Sequence, residues 1–278
     1  MSIKTMLVHL NDERRAEKVL LAATAIARRH NAHLIGLDVS PGVPDMPPLG
    51  VPYAGEVMSY VVAAEKRSSA RLAAIFDRMT SGQPFVAEWR AIEAPHADLA
   101  AIVTGHARSA DLIVAAQADP AWELSPVLDF PERLALSAGR PVLMVPHAGT
   151  FASVGRTVLV AWNGSREAAR AVFDSLPLLL AADKVIVLGL NEPKRTKSPE
   201  PDLSVTATLV RHGVKATAMQ SVAGEKDIGE AILSRLAETG ADLLVMGAWG
   251  HSRLHEMVFG GVTRHLARHM TTPTLMSH

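Results

Sequence analysis

Short apolar runs alternate along this chain with longer stretches in which apolar positions recur every three or four residues. The runs near 5–10, 32–39, 85–92, 110–116 and 141–145 predict strands, and the periodic stretches near 13–30, 56–80, 96–108 and 127–138 predict helices. The pattern then repeats. Strands are predicted near 156–162, 184–190, 214–222, 241–247 and 273–277, and helices near 165–181, 202–212, 226–239 and 260–270. Short strands separated by helices of this length imply βαβ units and parallel pairing.

Three landmarks recur in the same order, which points to an internal duplication. Thr5-Met6-Leu7-Val8 answers Thr157-Val158-Leu159-Val160, Ala110-Asp111-Leu112-Ile113-Val114 answers Ala241-Asp242-Leu243-Leu244-Val245, and Pro141-Val142-Leu143-Met144 answers Pro273-Thr274-Leu275-Met276. The second and third landmarks are 30 residues apart in one half (Asp111 to Pro141) and 31 in the other (Asp242 to Pro273), closer than chance similarity of apolar strands allows. The expected fold class is α/β, with two tandem doubly wound, Rossmann-like domains at 1–147 and 154–278, each holding a five-stranded parallel sheet. The join, around His147 to Ser153, is short, so the halves should pack together.

Ligands of such folds sit outside the carboxyl ends of the strands, and there the second half carries its most informative residues. Leu243-Leu244-Val245-Met246 runs into Gly247, two residues, Gly250, nine residues, then Gly260-Gly261-Val262-Thr263. Glycines let backbone N–H groups turn toward a ligand, and a helix opening on them offers its positive end to phosphate. Taken alone, glycines after a strand are as readily ordinary turn chemistry.

The context extends the pattern. That strand, the glycine loop, the helix Thr263 to Met270 and the strand Thr274 to Ser277 resemble the C-terminal signature of the universal stress protein family, which marks its ATP-binding members. Thr157 to Trp162 followed by Asn163-Gly164-Ser165 resembles that family's opening strand and turn. The resemblance implies a stress-response protein that binds ATP or ADP, with or without Mg, in its C-terminal domain and works as a nucleotide-dependent regulatory or interaction module. The base would lie near Ala161, Asn163 and Leu190; the phosphates would lie on Met246, Gly247, Gly250, Gly260 and Gly261, with Val262 and Thr263 behind them. His251 and Arg253 follow Gly250, and a guanidinium forks well onto phosphate oxygens. Two positions depart from the family. Asn163 stands where an aspartate is usual, and Gly261 where Ser or Thr is usual, so weaker or altered nucleotide binding is expected.

The first half lacks these features. Aligned on the repeated Ala-Asp-Leu, Ala116 and Asp119 replace the first two glycines, Pro120 removes an N–H donor, and Leu128-Asp129 stands opposite Gly260-Gly261. Asp119 is expected to turn a carboxylate toward the phosphate position, and only the C-terminal half is expected to bind nucleotide. The proline-rich loop Pro41 to Gly55 and the basic loop Glu192 to Asp202 read first as surface crossovers.

Composition narrows the remaining chemistry. Lys plus Arg and Asp plus Glu are both 28, so no broad basic face for nucleic acid is expected. The chain has no cysteine, which removes disulfides and thiolate chemistry, and no apolar stretch of membrane-spanning length, so cytoplasmic residence is the default. His251 and His255, and His265 and His269, have a spacing that can seed a zinc site, but no third ligand is placed and no metal is expected. No nucleophile, base and orienter assemble from spacing, and there is neither a P-loop nor a hydrolase elbow, so no catalytic residue is named. Two other readings stay open: a nucleotide-free interaction protein with a structural glycine loop, and a slow ATP hydrolase. The partners expected are an adenine nucleotide and an unidentified protein, with the chain either a monomer holding an internal pseudo-dimer or a homodimer.

Overall fold

The apolar runs fold as strands and the periodic stretches as helices, in the order read from the sequence. A computed structural model describes residues 2–41, 54–94, 98–191, 203–222, 227–248 and 261–278. The first half runs β1 (Thr5–His9), α1 (Glu13–His30), β2 (His33–Ser40), α2 (Ala54–Thr80), β3 (Ala87–Glu93), α3 (Leu99–Ala107), β4 (Leu112–Ala116), α4 (Ser125–Leu128), α5 (Pro131–Ser137) and β5 (Val142–Val145). The second runs β6 (Thr157–Trp162), α6 (Arg166–Asp174), α7 (Leu176–Ala181), β7 (Lys184–Asn191), α8 (Ser204–Arg211), β8 (Ala216–Val222), α9 (Ile228–Thr239), β9 (Leu243–Gly247), α10 (Gly261–His269) and β10 (Thr274–Ser277). The loops Pro41 to Gly55 and Glu192 to Asp202 fall largely outside the described residues.

Local chemistry sets the boundaries. Asp12 caps α1 by accepting from Arg14 N, and the helix ends on Asn31 in the left-handed region after Arg28 and Arg29, cations suited to its negative end. Two helices read as continuous are each broken in two. Pro177 cannot donate to the turn before it, so the stretch 165–181 divides at Ser175, which caps both α6 and α7. The stretch 127–138 divides in the same way before Pro131, leaving Asp129 in extended conformation between α4 and α5.

Among the described residues, ten strands join one sheet in the order β3-β2-β1-β4-β5-β10-β9-β6-β7-β8. Each half contributes five parallel strands, and the halves meet through an antiparallel pairing of β5 with β10, centred on Leu143 opposite Leu275. Both end strands are buried throughout, so pairing covers two apolar edges that would otherwise invite foreign strands. Alternation along the strands feeds two cores, one under each face. Met6, Val8, Val158 and Val160 point into the first, with Leu7 and Leu159 in the second, and each core passes across the β5–β10 seam.

The repeated aspartates have the same task in both halves. Asp111 accepts hydrogen bonds from Lys4 N at 2.8 Å and Thr5 N at 3.0 Å, while its own N–H donates to Thr5 O. Asp242 accepts from Arg156 N at 2.8 Å and Thr157 N at 2.9 Å, and donates to Thr157 O. Each ties the start of its half's fourth strand to the start of the first. No helix among the described residues is long and apolar enough to cross a membrane.

Candidate functional site

Each half reverses its winding beside its first strand. β6 pairs with β7 on one side and β9 on the other, so the connections leaving β6 and β9 part in opposite directions and open a crevice at their carboxyl ends. β1, between β2 and β4, does the same in the first half. The two crevices are filled differently.

In the second half, Asn163 Oδ1 accepts Ser165 N at 3.0 Å and Gly164 takes φ 74°, a backbone that side chains resist, so the chain turns sharply. Ser165 then caps α6 by accepting Ala168 N at 3.1 Å. Either Asn or Asp can accept in such a turn, which accounts for the tolerance of Asn163. The substitution leaves amide donors on the exposed side chain where a carboxylate would offer acceptors. Gly247, at the end of β9, meets this same helix: a Cβ there would stand 2.5 Å from Ala168 N and 2.6 Å from the carbonyl carbon of Glu167. The two motifs, distant in sequence, therefore converge on the first turn of α6. Gly247 is required by that approach whether or not a phosphate is present, a requirement the sequence could not separate from ligand binding.

Ala161 is half-buried on β6 and registers with both Leu188 and Met246. Met246 is buried, and Leu190 is half-buried near the end of β7. Gly261 opens α10 and is exposed; among the described residues the nearest atom to a Cβ there is Asp227 Oδ2 at 3.6 Å. Val262 is half-buried against the core and Thr263 is on the buried face of α10. Gly250, His251, Arg253 and Gly260 lie outside the described residues, as do Trp249 and His255. Two carboxylates missed in the sequence stand near the helix starts, Asp227 and Glu167. Burial pushes the Glu167 carboxyl up, but hydrogen bonds from its own N–H, Arg166 and Ser165 outweigh it and hold the group below the usual range.

The histidine pair on α10 is a packing feature. His265 and His269 stack with ring centroids 4.4 Å apart, His269 Nδ1 lies 2.9 Å from His265 O, and the His265 ring presses on Gly229 of α9. Among the described residues no group of three or more metal-ligating side chains comes together.

The first half's crevice is occupied by its own charges. Arg15 forks onto Asp129 (Nη2 to Oδ1 2.8 Å, Nη1 to Oδ2 3.1 Å), and its Nε reaches Asp12 Oδ2 at 3.1 Å. The side chains of Arg15 and Asp129 are 8% and 1% exposed, and the guanidinium lies 4.5 Å from the centre of the Trp122 ring. Asn11 Nδ2 and Asp119 N–H complete the carboxylate's partners, at 2.9 and 3.2 Å. The expectation for Asp119 is thus corrected: its side chain caps Ala121 N at 3.0 Å, and Asp129, swung inward at the break before Pro131, supplies the buried carboxylate. Beside it His9 is buried, and its Nε2 has no hydrogen-bond partner among the described residues. Desolvation, opposed by Asp129 and aided by Arg15, lowers its pKa to about 4.

Gln117 links the halves. Its Nε2 donates to Ala267 O and Arg268 O in the last turn of α10, at 2.9 and 3.0 Å, and its Oε1 accepts His147 N. A separate cavity of about 600 Å³ lies between α2 and the ends of β2 and β3, with Asp38, Glu65, Lys66 and Glu93 in its wall.

Residues 155–278 match the model of the universal stress protein family. The chain carries a universal stress protein domain. Its whole length is similar in fold to a universal stress protein from Archaeoglobus fulgidus DSM 4304, at TM-score 0.67 and 15% identity, covering 98% of this chain and 95% of that one. A putative universal stress protein from Pseudomonas aeruginosa UCBPP-PA14 is similar at TM-score 0.55 and 13% identity, with coverage of 99% and 93%. At these identities the likeness establishes the tandem fold and no more. Among curated proteins none is significantly similar in sequence.

Proposed function

We propose that the universal stress protein domain binds ATP or ADP in the crevice between β6 and β9, and that nucleotide occupancy alters how the chain meets a protein partner. The observation that carries this reading is the convergence of the Asn163 to Ser165 turn, the end of β9 and the first turn of α6 at one switch point, with the exposed start of α10 on the chain segment leaving β9. The base lies toward Ala161, Asn163 and Leu190; the phosphates lie along the loop that runs from Gly247 to Gly261. The carboxylates of Glu167 and Asp227 stand at the starts of α6 and α9, so a polyphosphate is better received with Mg than without it.

The test is the nucleotide content of gently purified protein, released by denaturation and compared with a Gly250→Arg variant. One adenine nucleotide per chain in the parent and none in a folded variant is the expected result. No nucleotide in the parent, and no binding on titration with Mg and ATP, refutes it. A second reading, a nucleotide-free interaction protein, draws on the observation that helix packing alone demands Gly247. Binding by the parent eliminates that reading.

A further inference from the structure

We infer that the first half's crevice is an anion site that the chain has filled with its own Asp129 carboxylate. Four donors converge on this one group: two from the Arg15 guanidinium, one from Asn11 Nδ2 and one from Asp119 N–H. They stand at the carboxyl ends of β1 and β4, where the winding of the first half reverses and a free ligand of such a sheet would sit. Asp129 reaches them because the chain breaks before Pro131, at the position opposite Gly260-Gly261 of the second half. Where one half presents glycines, the other presents a carboxylate.

The donor set fits a small oxyanion. A guanidinium presents paired N–H groups to two oxygens of a carboxylate or phosphate, and a backbone N–H and an amide add the remaining directions. Asp129 carries two oxygens of the same kind, tethered to the chain, so it needs no ligand from solution and shuts the crevice against one. His9, buried and with no partner for its Nε2 among the described residues, is close enough to interact with Asp129 and Arg15 and adds a polar atom that Asp129 leaves unused. Through the Gln117 backbone carbonyl, which accepts Arg15 Nη1 at 3.0 Å, the filled cradle also fixes the residue that holds the last turn of α10. The inference does not depend on nucleotide binding in the second half.

Removing the tethered anion should make the cradle accept a free one. Asp129→Ala leaves Arg15 buried without its main partner, and the space vacated is that of one carboxylate. Thermal unfolding of parent, Asp129→Ala and an Arg15→Met, Asp129→Leu double variant would be followed at constant ionic strength while chloride is replaced by inorganic phosphate, with formate as a second probe. Asp129→Ala is expected to melt several degrees below the parent in chloride and to recover saturably with millimolar phosphate or formate. The parent and the double variant should show no such recovery. An Asp129→Ala chain that responds to phosphate and formate no more than these controls overturns the inference. So does one that remains unfolded in chloride, phosphate and formate alike, because a cradle able to hold a free anion would restore the fold.

Discussion

Replacing Gly247 by alanine separates a structural glycine from a ligand-binding one. The added Cβ would stand 2.5 Å from Ala168 N, 2.6 Å from the Glu167 carbonyl carbon and 2.9 Å from Glu167 Cβ. Carbon atoms in contact rest at about 3.5–4.0 Å, so β9 and the first turn of α6 must part by about 1 Å. Neither side gives easily, since β9 is held between β6 and β10 and the opposing atoms are mostly backbone. Overpacking costs about 1–3 kcal/mol, and a backbone clash belongs in the upper part of that range, about 2–3 kcal/mol. For a chain of this size that corresponds to a fall in Tm of roughly 3–5 °C. Urea unfolding followed by circular dichroism, with a thermal scan, measures both. Gly261→Ala is the control: among the described residues its Cβ meets nothing closer than 3.6 Å, and it should be neutral or gain up to about 1 kcal/mol. A Gly247→Ala protein within about 0.5 kcal/mol of the parent in the absence of nucleotide would refute the packing argument.

Other substitutions probe the seam, the duplication and the buried histidine. Gln117→Leu leaves two carbonyls of α10 and the His147 N–H without their partner, and should cost about 2–4 kcal/mol while speeding amide exchange in the last turn of α10; unchanged exchange there would argue against the link. Asp111→Ala and Asp242→Ala each remove two backbone hydrogen bonds of matching geometry, and Asp242→Ala also an exposed one from Ser153 Oγ at 3.4 Å; each should cost about 1–2 kcal/mol in urea unfolding, and a large inequality that persists in a Ser153→Ala background would speak against equivalent roles. Folded His9 titrates at about 4 against an ordinary 6.5, so between those values the unfolded chain holds a proton that the folded chain lacks. Stability should therefore fall as pH drops through that window, by up to about 3 kcal/mol from this residue, with no contribution above it. His9→Leu should flatten the acid limb of stability against pH, and an identical slope in parent and variant would count against the assignment.

Much of the fold was legible because its signals are local. Strand and helix alternation and the repeated Ala-Asp-Leu depend on neighbours a few residues away. The two helix breaks were within reach of the same reasoning, since Pro131 and Pro177 forbid the bonds that continuity needs. The candidate site was legible in part: the sequence found Asn163 to Ser165 and Gly247 as separate motifs, and the folded chain brings them to one turn of α6. Arg15 carried no local sign of its role, because its partner Asp129 lies 114 residues away. Asp119 and Asp129 share one connection, and composition does not tell which of them turns inward.

The sequence alone determined the repeated α/β architecture, the glycine-bearing end of the second half and the absence of those glycines from the first, because periodicity and residue type are written position by position. Tertiary structure decided that the halves share one sheet through β5 and β10, that Gly247 answers to α6, and that Asp129 fills the first crevice. Each of these depends on which distant atoms come within contact distance, and burial then makes an unfilled edge, an extra methyl or an unpaired charge costly.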